Sequence, residues 1–347
     1  MLFLNLPLEI RHGIYRWVIC SATKPAPSVA WDRNRRTLPD GNRMTRGIFH
    51  RTPDNPALSL LRVNKQVNEE VRNFLLYIPS NYHVDIMCVK ESGLWPTWSF
   101  PPPLPGKGSL SAPTQYIDSV YATFRIFNPP KSVRSYFRNR LAFSFSFGLV
   151  DAVLDGFYGL LEAFFHRGPG FMDGSLPEND MGVTPRYVVK DIIIDIMAPL
   201  DASKHRSIII DDLHYAPDRH THGRYASRYA GHDDVSVAPE ERLAAHMTSH
   251  LDMLLSFTPK LLNRSMLVYE QMSGSFVFMI CGKEYKRVEI EACLQRLEEV
   301  YLGPDGEPDL DHRERFKRWK RWVDERRGRM KEGLDLSTHR PVQELNG

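Results

Sequence analysis

The sequence predicts an α+β protein: a small helical module at the N-terminus, followed by a mixed α+β body with antiparallel strands. Two observations lead to this prediction. Apolar residues recur at helical spacing in two N-terminal segments, 6–19 and 56–78. Later in the chain, short runs rich in β-branched residues, such as 187–198 and 207–215, occur between segments with helical spacing. A chain of 347 residues is long enough for one large or two ordinary domains.

The composition is typical of an intracellular protein of the cytoplasm, the nucleus or both. Hydrophobic residues make up 42% of the chain, and the net charge of +3 gives no general attraction to nucleic acids or membranes. The four cysteines form no C-x-x-C pair, which predicts a reducing compartment and no zinc knuckle. The N-terminus lacks the basic region of a signal peptide. The most apolar region, 141–165, contains three acidic residues, so we expect no membrane span.

The first helix is predicted over residues 6–19. Pro7 suits the first helical position, and Glu9 favours the positive end of the helix dipole. Its apolar side chains form two faces rather than one. The broad face holds Leu6, Ile10, Ile14, Trp17 and Val18, the second face holds Leu8, Tyr15 and Ile19, and the polar side holds Glu9, His12 and Arg16. A helix this short is marginal alone, so it needs a neighbour to pack on.

The second helix is predicted from Pro56 to Ile78, because Asn55-Pro56 is a typical start and Pro79 ends it. Its apolar stripe comprises Leu60, Val63, Val67, Val71, Phe74 and Ile78. Burying each of these side chains contributes roughly 1.5–3 kcal/mol, which suffices to dock the first helix on the second. We expect residues 20–55 between the two helices to form an exposed, arginine-rich loop.

The predicted division of the chain follows from these elements. Residues 1–85 form the helical module with the basic loop 20–55, and residues 86–115 a Pro-rich linker or loop. The α+β body covers 116–305, with a hairpin expected around Ser273-Gly274. A basic C-terminal helix occupies 306–335, and a polar tail 336–347.

Two motifs in the helical module resemble those of a known family. "LPLEIR" begins the first helix with Leu6, Pro7, Glu9, Ile10 and Arg11, and "LLRVNKQVNEE" lies within the second with Leu60, Leu61, Arg62, Val63, Gln66 and Glu70. Together they resemble the F-box-like domains abundant in fungal proteins. The resemblance covers residues 2–85, about a quarter of the chain. The sequence departs from the family pattern at Asn64 and Asn68, and in the length of the loop between the helices.

The resemblance implies a docking function. F-box proteins dock on the linker subunit of a cullin-RING ubiquitin ligase and capture a protein substrate with the rest of the chain. By this resemblance the docking residues are Leu6, Pro7, Ile10 and Ile14. A helix that binds in a groove needs apolar anchors at such spacings, which agrees with the excess of apolar surface on the first helix. The alternative is that both helices only build a domain core.

Metal and catalytic sites are not predicted. Five histidines lie between residues 201 and 235 in a polar segment typical of a solvated loop. His246 and His250 have the i, i+4 spacing but lack the glutamate of H-E-x-x-H. The chain has no G-x-S-x-G elbow, and "GKG" at 106–108 is not a phosphate-binding loop. Three acids end strand-like runs without an evident base: Asp195, Asp211 and Asp212. We therefore expect no catalytic residue, no metal and no cofactor.

The final helix is strongly basic. Between Arg313 and Lys331 there are ten Lys or Arg and three acidic residues, and aromatic residues interleave with them. We expect the side formed by Phe316, Trp319 and Val323 to dock on the body, with a solvated basic face outward. One alternative is a contact with nucleic acid phosphates, for which the whole-chain charge gives little support. Another is that the helix lies on an acidic membrane surface.

The predicted function is therefore a non-enzymatic, F-box-like interaction adaptor. In this hypothesis the protein is a substrate receptor of a Skp–cullin–F-box ubiquitin ligase with an unknown protein substrate. One alternative is a nucleic-acid or chromatin-associated protein that uses its basic loop and basic helix. Another is an uncharacterised enzyme built on the α+β body.

Overall fold

The computed structural model of the protein describes residues 3–21, 24–31, 35–37, 48–51, 59–75, 80–89, 93–100, 115–127, 152–169, 187–199, 238–256, 262–303, 310–332, 334 and 336. Within these ranges there are seven α-helices of ten residues or more: α1 (Leu8–Ile19), α2 (Lys65–Leu75), α3 (Ala152–Arg167), α4 (Pro239–Leu255), α5 (Leu262–Gln271), α6 (Ile290–Leu302) and α7 (Leu310–Lys331). The same ranges contain eight strands: β1 (Arg36–Thr37), β2 (Phe49–His50), β3 (Asn81–Val89), β4 (Gly93–Phe100), β5 (Gln115–Phe127), β6 (Tyr187–Met197), β7 (Ser275–Ile280) and β8 (Lys283–Glu289).

Six of these strands form one mixed sheet in the order β4-β3-β5-β6-β7-β8. The four central strands β3, β5, β6 and β7 are parallel, and an antiparallel strand lies at each edge. The prediction of a mixed α+β body is confirmed, and antiparallel pairs occur at both edges. The parallel centre was not predicted. It follows from long connections that contain helices, since α3 lies between β5 and β6, and α4 and α5 lie between β6 and β7.

The main hydrophobic core lies between one face of this sheet and the helices. Side chains of the central strands, such as Phe124, Ile194 and Phe276, are fully buried there. The core also takes residues from α3 to α7, including Phe165 and Trp319. Because β6 is apolar over most of its length, with only Lys190, Asp191 and Asp195 polar, it is suited to the centre of a sheet that is covered on both faces.

Parts of the segment predicted as an exposed basic loop are buried instead. Val29 packs in a small cluster with Met87 and Trp95 on the sheet face opposite the main core. Ile48 is fully buried and pairs with Leu94 of β4. The guanidinium of Arg35 donates to the carbonyl oxygens of Phe49 (2.9 Å) and Pro96 (2.8 Å). The prediction of an exposed loop is therefore wrong for Val29 and Ile48, which are buried, whereas most other described residues of 20–55, such as Trp31, are exposed.

Residues 93–100 were predicted as part of a Pro-rich linker but form the edge strand β4. They pair with β3 from Val89↔Gly93 to His83↔Phe100. Pro96 is tolerated because β4 lies at the edge of the sheet. β3 itself crosses the boundary placed after residue 85, and the division of the chain into domains stays a prediction.

The predicted hairpin lies eight residues further along the chain. Ser273 and Gly274 connect α5 to β7, and their amides donate to the carbonyl oxygens of Val189 and Lys190 at 3.0 Å each. The hairpin between β7 and β8 turns at Cys281 (φ 49°) and Gly282 (φ 80°). Two successive positive φ values are typical of a type I′ turn, which fits the right-handed twist of a hairpin.

The predicted second helix is interrupted, since residues 59 and 60 are helical but a turn separates them from α2. Residues 61–63 form a turn, and α2 begins at Lys65, since the amide of Val67 donates to Oδ1 of Asn64 at 2.8 Å. An Asn side chain in this position caps a helix N-terminus. Val63, expected in the apolar stripe, is 63% exposed as a consequence. Several segments lie outside the described residues: 141–151 of the most apolar region, the β-branched run 207–215, the five histidines between 201 and 235, and residues 337–347.

Candidate docking surface on the first helix

The first helix packs against the second through one face. Tyr15 and Ile19 of α1 are buried against Val67, Val71 and Leu75 of α2. These residues form a hydrophobic cluster of their own, separate from the main core of the sheet. The predicted second face of the helix is thus the packed one, although Leu8 at its start is 42% exposed. The predicted polar side is not fully solvated, because the ring of His12 lies 5.4 Å from that of Phe74.

A charged pair lies within this packed face. Arg11 Nε and Nη2 donate to the two carboxylate oxygens of Glu70 at 2.9 and 2.7 Å. The side chains of the two residues are only 9% and 14% exposed. Such a bidentate pair is strong and directional, because two parallel charge-assisted bonds fix the relative orientation of both groups. It therefore fixes the orientation of α1 on α2.

The same pair holds the chain that precedes α1. Arg11 Nη1 donates to the carbonyl oxygen of Leu4 at 3.0 Å and also to that of Leu6. Two further groups donate to the Glu70 carboxylate: the Tyr15 hydroxyl at 2.8 Å and the Gln66 side-chain amide at 2.9 Å. The network therefore ties three segments together: the turn before α1, α1 itself and α2.

The electrostatics of the network follow from these contacts. The hydrogen bonds from Arg11 lower the pKa of Glu70 to about 2, against an ordinary value of 4.5. Burial raises the pKa of Tyr15 to about 12, and its hydrogen bond to Glu70 adds to the effect. At neutral pH the network thus contains one carboxylate, one guanidinium and one neutral phenol.

Three residues of the quoted family motifs, Arg11, Gln66 and Glu70, meet in this network. The sequence places each of them in a motif but does not pair them. Their positions could have indicated the pair, since Arg11 and Glu70 occupy the same helical faces as the buried Tyr15 and Val67. A charged residue on a packed face needs a partner of opposite charge. These motif residues therefore have a structural function in this chain.

The opposite side of α1 is exposed and apolar. Ile10, Ile14 and Trp17 follow each other at i, i+4 and i+7, and they are 54%, 36% and 76% exposed. Gly13 lies among them, and a Cβ atom placed there would meet nothing within 4 Å. We call Ile10, Gly13, Ile14 and Trp17 the apolar stripe. A helix stripe of this kind is a typical ligand for an apolar groove.

The predicted docking residues lie on or next to this stripe. Ile10 and Ile14 are members of it. Pro7 is exposed and lies at the N-cap position instead of the predicted first helical position. Leu6 is half-buried in the bend that precedes the helix. Trp17 was placed on this face by the sequence but was not selected as a docking residue, although it is the most exposed member.

Polar residues also line the sheet face opposite the main core. Arg125 donates to both carboxylate oxygens of Asp85 at 2.6 Å.

Asp195, one of the three acids considered as catalytic, accepts from the Tyr121 hydroxyl at 2.5 Å and from the amide of Gly282 at 3.0 Å. Burial, with the bond to Asp195, raises the pKa of Tyr121 to about 12. Asp195 therefore connects β5, β6 and the turn between β7 and β8. Asp211 and Asp212 lie outside the described residues.

The two histidines at i, i+4 spacing lie side by side on α4. The ring centroids of His246 and His250 are 4.6 Å apart in an edge-on arrangement. Within the described ranges, no group of three or more His, Cys, Asp or Glu side chains is placed to hold a metal ion.

The basic final helix docks its aromatic side on the body, as expected. Phe316, Trp319 and Val323 are buried in the main core. Two of its arginines are buried as well. Arg326 donates to the carbonyl oxygen of Glu270 at 2.9 Å, and Arg327 donates to that of Met272 at 2.5 Å. Cations at these carbonyls stabilise the C-terminal end of α5. Part of the positive charge of α7 therefore serves the fold.

No helix among the described residues has the length and apolar character needed to cross a membrane. Comparisons with protein-family models, with curated proteins and with solved structures find no match for this chain.

Proposed function

We propose that the protein is a non-enzymatic interaction adaptor that docks through the apolar stripe of α1. The proposed partner is the linker subunit of a cullin-RING ubiquitin ligase, as the resemblance to F-box-like domains implies. The docking residues are Leu6, Pro7, Ile10 and Ile14, and we add Trp17. The α+β body then binds a protein substrate.

One observation carries the proposal: three large apolar side chains of α1 are exposed on one line of the helix. Single exposed apolar residues are common on protein surfaces and need no explanation. Three at i, i+4 and i+7 provide a continuous anchor for a groove, and an exposed tryptophan is among the residues that contribute most to binding energy.

The packed face of α1 supports the same proposal. Because Arg11 and Tyr15 bind Glu70 on one side of the helix, the stripe is directed away from α2. Arg11 also holds the segment with Leu6 and Pro7 against the helix start. The docking side chains are thus presented by a rigid element, which lowers the entropy lost on binding.

The test is binding of the purified full chain to the purified linker subunit, measured by titration calorimetry. Wild type is expected to bind, and Ile10→Asp combined with Ile14→Asp is expected to abolish binding. The two substituted side chains are exposed, so the thermal unfolding temperature should stay close to that of wild type. An unchanged affinity of this variant would contradict the proposal.

Val300→Asp is the matched control. Val300 on α6 is 59% exposed, similar to Ile10, but belongs to a different helix. It should leave the affinity unchanged while introducing the same chemical group. Equal losses in the control and the stripe variant would indicate a general loss of folding instead of a lost docking surface.

A further inference from the structure

We propose that a second copy of this chain covers the apolar stripe, in an antiparallel, two-fold symmetric pairing of α1 with α1. The pairing itself is inferred from the geometry of α1 alone. Its consequence, that the paired form cannot dock and the single chain can, rests on the proposed function.

The exposed side of α1 can be numbered as a heptad, although the 12-residue helix covers fewer than two repeats. Ile10 and Trp17 are seven residues apart and take position a, and Gly13 between them takes position d. Glu9 and Arg16 each precede an a position and so take position g. Both are exposed. The stripe is therefore flanked on one side by two opposite charges, seven residues apart.

This charge arrangement is self-complementary in one orientation only. When two helices run antiparallel, the g flank of one faces the g flank of the other. Glu9 at the start of one helix then lies beside Arg16 at the end of its partner, and the two-fold axis repeats the contact. In a parallel pair the g position faces e, so Glu9 would face Ile14. The charges thus favour the antiparallel pair.

The glycine makes a close approach feasible. In the antiparallel pair Ile10 of one copy lies opposite Gly13 of the other, where nothing occupies the space within 4 Å of an added Cβ. Trp17 then lies over the start of the partner's α1, near Leu6. Ile10 therefore faces a glycine, and Trp17 faces the half-buried Leu6 of the other copy.

The size of the contact sets its strength. Trp17 is 76% exposed and belongs to a residue type that can bury about 150–250 Å². With the two isoleucines, a pair of stripes covers on the order of 700 Å² in total, which is below the standard size of stable interfaces. We expect only a weak dimer, since a contact of this size lies below that of stable complexes. A tighter partner for the stripe would displace the second copy.

A charge exchange in the full chain tests both the partner and the orientation. Sedimentation equilibrium should show wild type in a monomer–dimer equilibrium. Glu9→Arg alone and Arg16→Glu alone should each weaken the dimer by about tenfold, since two attractions become repulsions. The double variant should restore the wild-type constant, and so should a mixture of the two single variants.

Glu69 and Arg62 are exposed residues elsewhere in the module. The substitutions Glu69→Arg and Arg62→Glu therefore serve as matched controls, because they make the same charge changes and should leave the dissociation constant of the dimer unchanged. Wild type that stays monomeric up to about 1 mM would overturn the inference. A double variant that associates as weakly as the single variants would overturn it too.

The measurement contains no linker subunit, so its outcome is separate from the docking proposal. If the linker subunit does not bind but the chain still self-associates, the proposed function is wrong and the pairing of α1 with α1 stands.

Discussion

The Arg11–Glu70 pair offers a direct way to test how the N-terminal module is held. Glu70→Gln keeps the shape of the side chain and one acceptor oxygen, but it removes the charge that Arg11 and Tyr15 contact. Breaking a buried ion pair typically costs 3–5 kcal/mol. Here Arg11 keeps its bonds to the carbonyl oxygens of Leu4 and Leu6, and both side chains retain some exposure. We therefore expect a loss of about 2 kcal/mol.

Hydrogen exchange is the suitable assay, because the module has its own hydrophobic cluster and can open without the sheet. A loss of about 2 kcal/mol corresponds to roughly 30-fold faster exchange of the amides in α1. Amides of β6 should be unaffected. Glu69→Gln, the same change at the exposed neighbouring residue, should leave exchange in α1 unchanged. Protection within twofold of wild type in Glu70→Gln would refute the reasoning.

The same network predicts a dependence on pH. Because Arg11 lowers the pKa of Glu70 to about 2 in the folded chain, the carboxylate contributes stability that is fully present above pH 4.5. This contribution is lost as the pH falls from 4.5 toward 2. Protection of α1, corrected for the intrinsic exchange rate, should therefore decrease over this interval in wild type. In Glu70→Gln that part of the decrease should be absent.

Three further substitutions test other parts of the account. Gly13→Ala should raise the free energy of unfolding of the module by about 0.5–1 kcal/mol, because Gly13 is helical and its Cβ would meet open space; exchange in α1 measures it. Trp319→Ala removes a fully buried side chain of α7 and should cost about 3–5 kcal/mol in urea unfolding. Gly282→Ala should cost about 1–2 kcal/mol in the same assay from its positive φ alone, and an unchanged midpoint would contradict the assigned turn.

Helical periodicity predicted α1 well, because a short helix with few alternatives shows its faces directly. The second face with Tyr15 and Ile19 is packed, and the broad face with Ile10 and Trp17 is exposed. Periodicity could not show which of the two faces would be covered, since both are apolar. That choice depends on Arg11, whose partner Glu70 lies 59 residues away in the sequence.

Tertiary contacts explain the other differences between the predicted and the observed elements. Residues 93–100 contain a proline and were assigned to a linker, but pairing with β3 makes them a strand. The predicted second helix runs through Val63, but the side chain of Asn64 caps α2 and Val63 is left exposed. The parallel order of the central strands depends on how the connecting helices pack, and no local sequence pattern indicates it.

Oxidative footprinting of Trp17 tests the central claim most directly. With the full chain at about 1 µM, where the weak pairing is dissociated, Trp17 should be oxidised rapidly, since it is 76% exposed. Saturating linker subunit should slow oxidation of Trp17 several-fold and leave Trp31, also exposed at 79%, unchanged. Slow oxidation of Trp17 in the chain alone would contradict the exposed stripe, and unchanged oxidation in the presence of the linker subunit would contradict docking through it.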